Sequence, residues 1–258
     1  MLETSNTPVV HVPAEGLLRD AGALRRAVRA FGRAVGTDET AVAASLLLQA
    51  WAVSVTRPAI AGLVGSRRVP DLAASNTILH FDETQRPTGT ALVTPRFAVV
   101  EGDEAAADSR AESVANDDAL FAWVRSRLFD GHLGPLVEAL HDVAPVGRRL
   151  LWGNVAAATA GAFAALTALE PHPFDPEHVL PEAARLLDWP GSPTAGLAEL
   201  FSVTRHGATR LFVRRATCCL RYRLPDAPPT CLSCRLLPEA ERQRRIALRL
   251  TPPTSSGR

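Results

Sequence analysis

The chain of 258 residues contains no lysine, so all 28 of its basic residues are arginine. Codon bias toward arginine explains that better than a demand for guanidinium forks at every cationic position. Aromatic residues make up only 5% of the chain, but the 47% hydrophobic content still provides a core of ordinary size. The start, MLETSNTPVVHVP, lacks a basic segment leading into an apolar run, so no signal peptide is expected. No G-x-G-x-x-G follows a predicted strand, and Gly62-Leu63-Val64-Gly65-Ser66-Arg67-Arg68 lacks the Lys-Ser/Thr ending of a phosphate-binding loop. Familiar dinucleotide and nucleotide motifs are therefore excluded. No internal repeat is visible, and the histidines (His80, His132, His141, His172, His178 and His206 among them) are dispersed without metal-ligand spacing. Each reads as a surface or core-satisfied residue.

Two runs raise the question of a membrane. Residues 41–56 are apolar but short and meet Arg57-Pro58, and residues 150–169 carry no charge over twenty positions, eight of them Ala. Both read as buried helices, so no membrane insertion is expected and the location is taken as cytoplasmic.

What the chain does have is arranged unevenly. Residues 1–200 carry 16 Arg against 24 acidic residues, whereas residues 201–258 carry 12 Arg against 3. Periodicity predicts helices over 14–36, 37–56, 113–141, 148–168 and 177–188, with a further turn or two over 58–66 and a basic helix over 238–249. Thr37, Glu39 and Thr40 suggest a cap for the second helix. Short strands are expected at ILHF, TALVT and RFAVV, with a hairpin around Arg86-Pro87-Thr88-Gly89, and at RLFVRR. Residues 102–112 read as a polar surface link, and residues 1–13 as a loose leader or edge strand. The fold class is α+β, helix-rich: a mainly helical body over 1–204 with a small hairpin or sheet region, a basic cysteine module over 205–250 and a disordered tail over 251–258.

All four cysteines, Cys218, Cys219, Cys231 and Cys234, fall within seventeen residues, CCLRYRLPDAPPTCLSC. In a reducing compartment such a cluster reads as a metal site rather than as disulfides. Four thiolates suit a tetrahedral zinc ion or an iron–sulfur cluster. Pro225, Pro228 and Pro229 stiffen the return path between the pairs. Only Cys231-Leu-Ser-Cys234 has the form of a zinc knuckle, and adjacent cysteines in extended backbone point to opposite faces, which is awkward for one ion. Two irons about 3 Å apart offer a broader target. A [2Fe–2S] cluster stands ahead on these grounds, with zinc still open.

The vicinal pair, the gap and the terminal Cys-x-x-Cys resemble the C-terminal signature of the FhuF-like ferric-siderophore reductases. The usual gap in that family is ten residues, and here residues 220–230 make eleven. The lead-in RRATCCLRYRLP, the segment Leu151-Trp152-Gly153-Asn154 before an Ala/Gly-rich helix, and SLLLQAWA at 45–52 are similar in the same way. The resemblance implies a [2Fe–2S] cluster on Cys218, Cys219, Cys231 and Cys234 that passes one electron to the Fe³⁺ of a ferric siderophore. A ferredoxin or a small thiol would be the electron donor. Such a cluster carries −2 oxidised and −3 reduced, so the neighbouring Arg215 and Arg221 would favour the reduced form and attract an anionic siderophore. Trp152 and Asn154 are candidates for lining the substrate cleft.

Two other classes stay in view. A zinc-stabilised module could use its basic end on nucleic acid or protein. Against nucleic acid stand the vicinal pair, the scarcity of aromatics beyond Tyr222 and an acidic 200-residue body. An iron–sulfur electron carrier without its own substrate is the third.

Overall fold

A run of apolar residues with no polar face can only be stable as a helix buried on most sides. The computed structural model, which describes residues 10–83, 85–169, 174–226 and 230–250, builds its core on such a helix. In chain order the elements are edge strand β1 (Val10–Pro13), helices α1 (Ala14–Arg19), α2 (Ala21–Ala34) and α3 (Thr40–Ser66), then strands β2 (Arg68–Pro70), β3 (Thr77–Phe81), β4 (Pro87–Leu92), β5 (Phe97–Val100) and β6 (Ala111–Val114). Helix α4 (Asp117–Val124) runs through a π-helical stretch, Arg125–Leu133, into α5 (Gly134–Val143). Helices α6 (Arg148–Leu166) and α7 (Pro176–Leu187), the hairpin β7 (Ala198–Arg205) and β8 (Ala208–Arg215), and helix α8 (Glu239–Arg249) complete the chain. The protein is a helix-rich α+β fold, as expected. The tail 251–258, His172, Pro228 and Pro229 lie outside the described residues.

Helix α3 does not stop at Thr56 but continues through Pro58 to Ser66. A proline inside a helix removes the bond to the carbonyl four residues back, here that of Ser54. That carbonyl accepts instead from Thr90 Oγ1 at 3.4 Å, a donor supplied by β4. At 27 residues α3 is long and apolar enough by composition to cross a bilayer, but Leu47, Leu48, Trp51, Val55 and Ile60 are fully buried in the core. It packs along α6, whose Val155, Ala158, Ala162 and Phe163 share its core, while Ala156 and Ala160 face Leu187 and Leu197 on the other side. The expected cap at Thr37 takes a different form. Thr37 Oγ1 accepts from Glu39 N at 3.1 Å, and Glu39 holds the cap position without a side-chain bond.

Three small sheets decorate the helices, in the orders β1-β3-β4, β2-β5-β6 and β7-β8. The predicted hairpin exists as β3–β4, but its turn lies over residues 82–86, and Pro87, Thr88 and Gly89 already belong to β4. RFAVV forms β5, which joins a different sheet by pairing antiparallel with β2 and parallel with β6. Strand β6 takes the end of the expected surface link and the start of the expected helix, so helix begins only at Asp117, capped by Asn116 Oδ1 on Ala119 N at 3.0 Å. The π-helical stretch sets His132 into the core. Trp51 Nε1–H donates to its Nε2 at 2.8 Å, and its Nδ1 lies 2.6 Å from the carbonyl of Leu72. Burial lowers the His132 pKa to about 4, so the ring is neutral, protonated on Nδ1 and bonded at both nitrogens.

Strand β8 carries the chain toward the cysteines. It lies on α6, with Leu211 N donating to Thr167 Oγ1 at 3.2 Å, and pairs with β7 along its whole length. Residue 205, where the cysteine module was expected to start, is the last residue of β7, so the hairpin joins the residues on both sides of it.

Candidate metal centre

Beyond β8 the chain has little regular structure, so its backbone groups need partners from elsewhere. Arg215 N donates to Ser233 O at 3.0 Å and Ala216 N to Leu197 O at 2.9 Å, which pins the lead-in to the vicinal pair. Leu220 then adopts φ 64°, in the left-handed region that a branched side chain seldom enters. The chain turns back there through a 3-10 turn, Arg221–Arg223, while Leu220 N donates to Cys218 Sγ at 3.3 Å. At the second pair, Cys234 N donates to Cys231 O at 3.0 Å in a tight turn. The chain thus turns back directly after the vicinal pair, and Cys218, Cys219, Cys231 and Cys234 all line one small pocket, together with Arg221, Tyr222 and Thr230. All four are free thiols, Cys219 buried and Cys231 exposed.

At Cys219 the surroundings favour thiolate. The Cys231 thiol donates to Cys219 and, with the positive charge of Arg215 and a backbone N–H of Arg221, holds the Cys219 pKa down at about 5 against the opposing effect of burial. Cys231, the donor of that bond, is pushed up correspondingly. Among the described residues no group of three or more His, Cys, Asp or Glu closes on a single point as the ligands of one ion do. The donor set nonetheless fits a thiolate-bound centre: four thiols on one pocket, one of them strongly acidified, with an N–H on sulfur and cations beside them.

The pocket is fastened to the body through a buried polar chain. Ser45 Oγ, on α3, donates to Cys219 O at 2.9 Å. Asn154 Nδ2, on α6, lies 2.9 Å from both Ser45 O and Ser45 Oγ, and its Oδ1 accepts from Arg215 Nη2. Asn154 is wholly buried and Arg215 is only 3% exposed. Asn154 therefore meets the cysteine segment through Ser45 and Arg215, from inside the protein. Its neighbour Gly153 allows the approach: a Cβ there would lie 1.8 Å from Thr217 Oγ1 and 2.7 Å from Thr217 Cβ. Trp152, half-buried, packs against the core and touches the region of Gly134.

A second set of arginines fastens the other pair. Arg242, on α8 and buried, donates to the carbonyls of Leu232, Cys234 (2.8 Å) and Leu237 (3.2 Å). Arg245 Nη1 donates to Thr230 O at 2.6 Å, and Arg235 Nη1 to Ala216 O at 3.0 Å. Much of the positive charge at this end thus satisfies loop carbonyls that have no strand or helix to bond them. Arg214 pairs with Glu199 and Arg223 with Glu39. Arg221 is exposed and reaches the thiol pocket. Ser45, Gly153, Thr217 and Arg242 are site residues that sequence reasoning did not single out. Ser45, Gly153 and Thr217 stood inside quoted segments, but nothing in the sequence tied Ser45 or Gly153 to a cysteine or set Thr217 against α6.

The fold and the pocket together define a helical protein that presents four thiols from a basic C-terminal segment docked on its central helices. The chain belongs to the family described as ferric iron reductase FhuF-like transporter, whose model matches residues 45–216. The match thus opens at Ser45 and closes just after Arg215, spanning the buried polar chain and ending two residues before Cys218. No curated protein matches the chain.

Proposed function

We propose that this protein is a ferric-siderophore reductase that holds a [2Fe–2S] cluster on Cys218, Cys219, Cys231 and Cys234. The observation that carries the reading is the meeting of all four thiols on one pocket, fastened by Ser45, Asn154 and Arg215 to the body that the family match covers. Held on these four thiolates and reduced by the donor, such a cluster would supply one electron to siderophore-bound Fe³⁺, whose hard oxygen ligands hold Fe²⁺ far less tightly.

The chain's own residues have definable tasks. Cys219 is a thiol whose pKa its surroundings lower, and its buried position shields the inner side of the centre from water. Leu220 N–H on Cys218 sulfur and the charge of Arg215 and Arg221 favour added electron density on the thiolates. The proposal takes residues 205–250 as the part that bears the cluster and residues 1–204 as the part that supports it and meets the siderophore, in a reducing, cytoplasmic setting with a ferredoxin or small thiol as donor. A nucleic-acid role is disfavoured because Arg235, Arg242 and Arg245 are spent on carbonyls, and Arg214 and Arg223 on carboxylates.

Anaerobic purification followed by iron, labile sulfide and zinc analysis tests the reading. About two irons and two sulfides per chain, with a one-electron EPR signal on reduction, are expected. Replacing any one of Cys218, Cys219, Cys231 or Cys234 by Ser should destroy or strongly destabilise the cluster while far-UV circular dichroism keeps most of the helix signal. Stoichiometric zinc without labile sulfide would overturn it.

A further inference from the structure

Strand β7 ends in a two-residue turn, His206-Gly207, with φ angles of 51° and 77°, so both central residues are left-handed as a tight hairpin requires. Such a turn makes Arg205 and Ala208 a pair that exchanges both main-chain bonds, and the ladder alternates from there. Arg205, Val203, Phe201 and Glu199 therefore bond to β8, while Thr204, Ser202, Leu200 and Ala198 turn their N–H and C=O groups the other way. On β8 the groups that turn away from β7 are taken up: Leu211 N donates to Thr167 Oγ1 and Arg215 N to Ser233 O. On β7 the outward groups of these four residues meet no partner among the described residues. Proteins usually blunt such an edge with a bulge, a proline, an inward charge or a covering loop. Strand β7 is 8 residues long, pairs without a register shift, and has neither proline nor charge over residues 200–204.

We infer that the outer edge of β7 is the interface for a second copy of this chain, the two β7 strands pairing antiparallel about a twofold axis at Ser202. The occupant follows from the strand's own sequence. With Ser202 facing the partner's Ser202, Leu200 exchanges main-chain bonds with the partner's Thr204, Phe201 meets the partner's Val203, and Glu199 meets the partner's Arg205. Opposite charges and an aromatic beside a β-branched residue are the cross-strand pairs that stabilise a sheet. Sliding the partner by two residues sets Glu199 opposite Val203 or Gly207 and leaves Arg205 without a carboxylate, so charge selects one register. Both side chains are exposed and suited to it. Arg205 has only the His206 ring as a side-chain partner, at 3.3 Å, and Arg214 engages Glu199 through Oε2. The assembly closes at two copies, because the other edge of β8 is already bonded to Thr167 and Ser233. Antiparallel pairing sets the two thiol pockets at opposite ends of the joint sheet, and the inference is independent of the reductase reading.

Sedimentation velocity of the full-length protein across the micromolar range tests the pairing. The wild type should dimerise reversibly, and less tightly as salt rises. Ser202→Pro removes a donor that β8 does not use, so the circular dichroism should stay as in the wild type while the dimer dissociation constant rises at least about tenfold. Charge reversal tests the register. Glu199→Arg sets Arg against Arg across the axis, and Arg205→Glu sets Glu against Glu, so each variant alone should be monomeric. Mixed in equal amounts the two should form a heterodimer, in which both cross-strand ion pairs are present again. Should Glu199→Arg fail to fold beside Arg214, Ser202→Pro and Arg205→Glu still carry the test. A monomeric wild type, a dimer that Ser202→Pro leaves intact, or folded charge variants that do not associate when mixed overturns the pairing.

Discussion

Arg221 reaches the thiol pocket from an exposed position, so its charge can be removed without opening the buried chain that involves Arg215. Arg221→Gln should lower the reduction potential of the bound centre by some ~20–50 mV, since an opposite charge nearby favours the more negative state. Protein-film voltammetry measures this, and an unchanged potential with the centre intact returns Arg221 to the ordinary solvated surface. His132 supports a prediction of a different kind. Its folded pKa, about 4, lies below its ordinary value, so the unfolded chain takes up a proton first as pH falls. Stability linked to His132 is therefore complete above pH ~6.5 and lost between there and pH ~4, with a slope of up to about 1.4 kcal/mol per pH unit. Urea midpoints of wild type and His132→Phe between pH 7 and 5 should show the steeper fall in the wild type. At this scale the four cysteines were legible because clustering within seventeen residues needs no partner to be noticed. The role of Asn154 was not, because its partners Ser45 and Arg215 are 109 and 61 positions away. Arg242 looked like one more arginine of a basic tail until the carbonyls it serves were in view.

Among the elements, α6 is the one on which the site depends. Gly153→Ala should force Thr217 away from α6, at a cost of about 1–3 kcal/mol for an overpacked contact that cannot relax. The expected result is a lower thermal midpoint together with loss of bound iron, while the α3–α6 pair keeps its helix signal. Retention of full iron content by a stably folded Gly153→Ala protein would show that this close approach does not matter to the centre. Pattern located α2, α5, α7 and α8 well, because each has an apolar face that its own residues define, and α6 as an uncharged run buried on most sides. It failed at Pro58, where helix continuity depends on Thr90 from a distant strand. It also missed β6 and β7, whose residues are only partly buried and become strands through pairing with β5 and β8.

Taken whole, the molecule grips its two cysteine pairs with different hands. Cys218 and Cys219 follow a strand laid on α6 and are tied to α3 and α6 through Ser45, Asn154 and Arg215. Cys231 and Cys234 hang from α8 through Arg242 and Arg245. The fold class and the basic end were visible in composition and pattern, whereas this division of labour belongs to tertiary geometry and has no trace in spacing. Hydrogen exchange on the metal-free protein should find the amides of 231–237 opening faster than those of 211–217, because α8 contributes only a short, charge-rich helix while α3 and α6 belong to the central core. Equal protection of the two segments would show them to be one cooperative unit. Two bonds cross between the grips, Arg215 N on Ser233 O and Arg235 Nη1 on Ala216 O, so the α8 hold works as a clasp on a strap whose other end is riveted to the core.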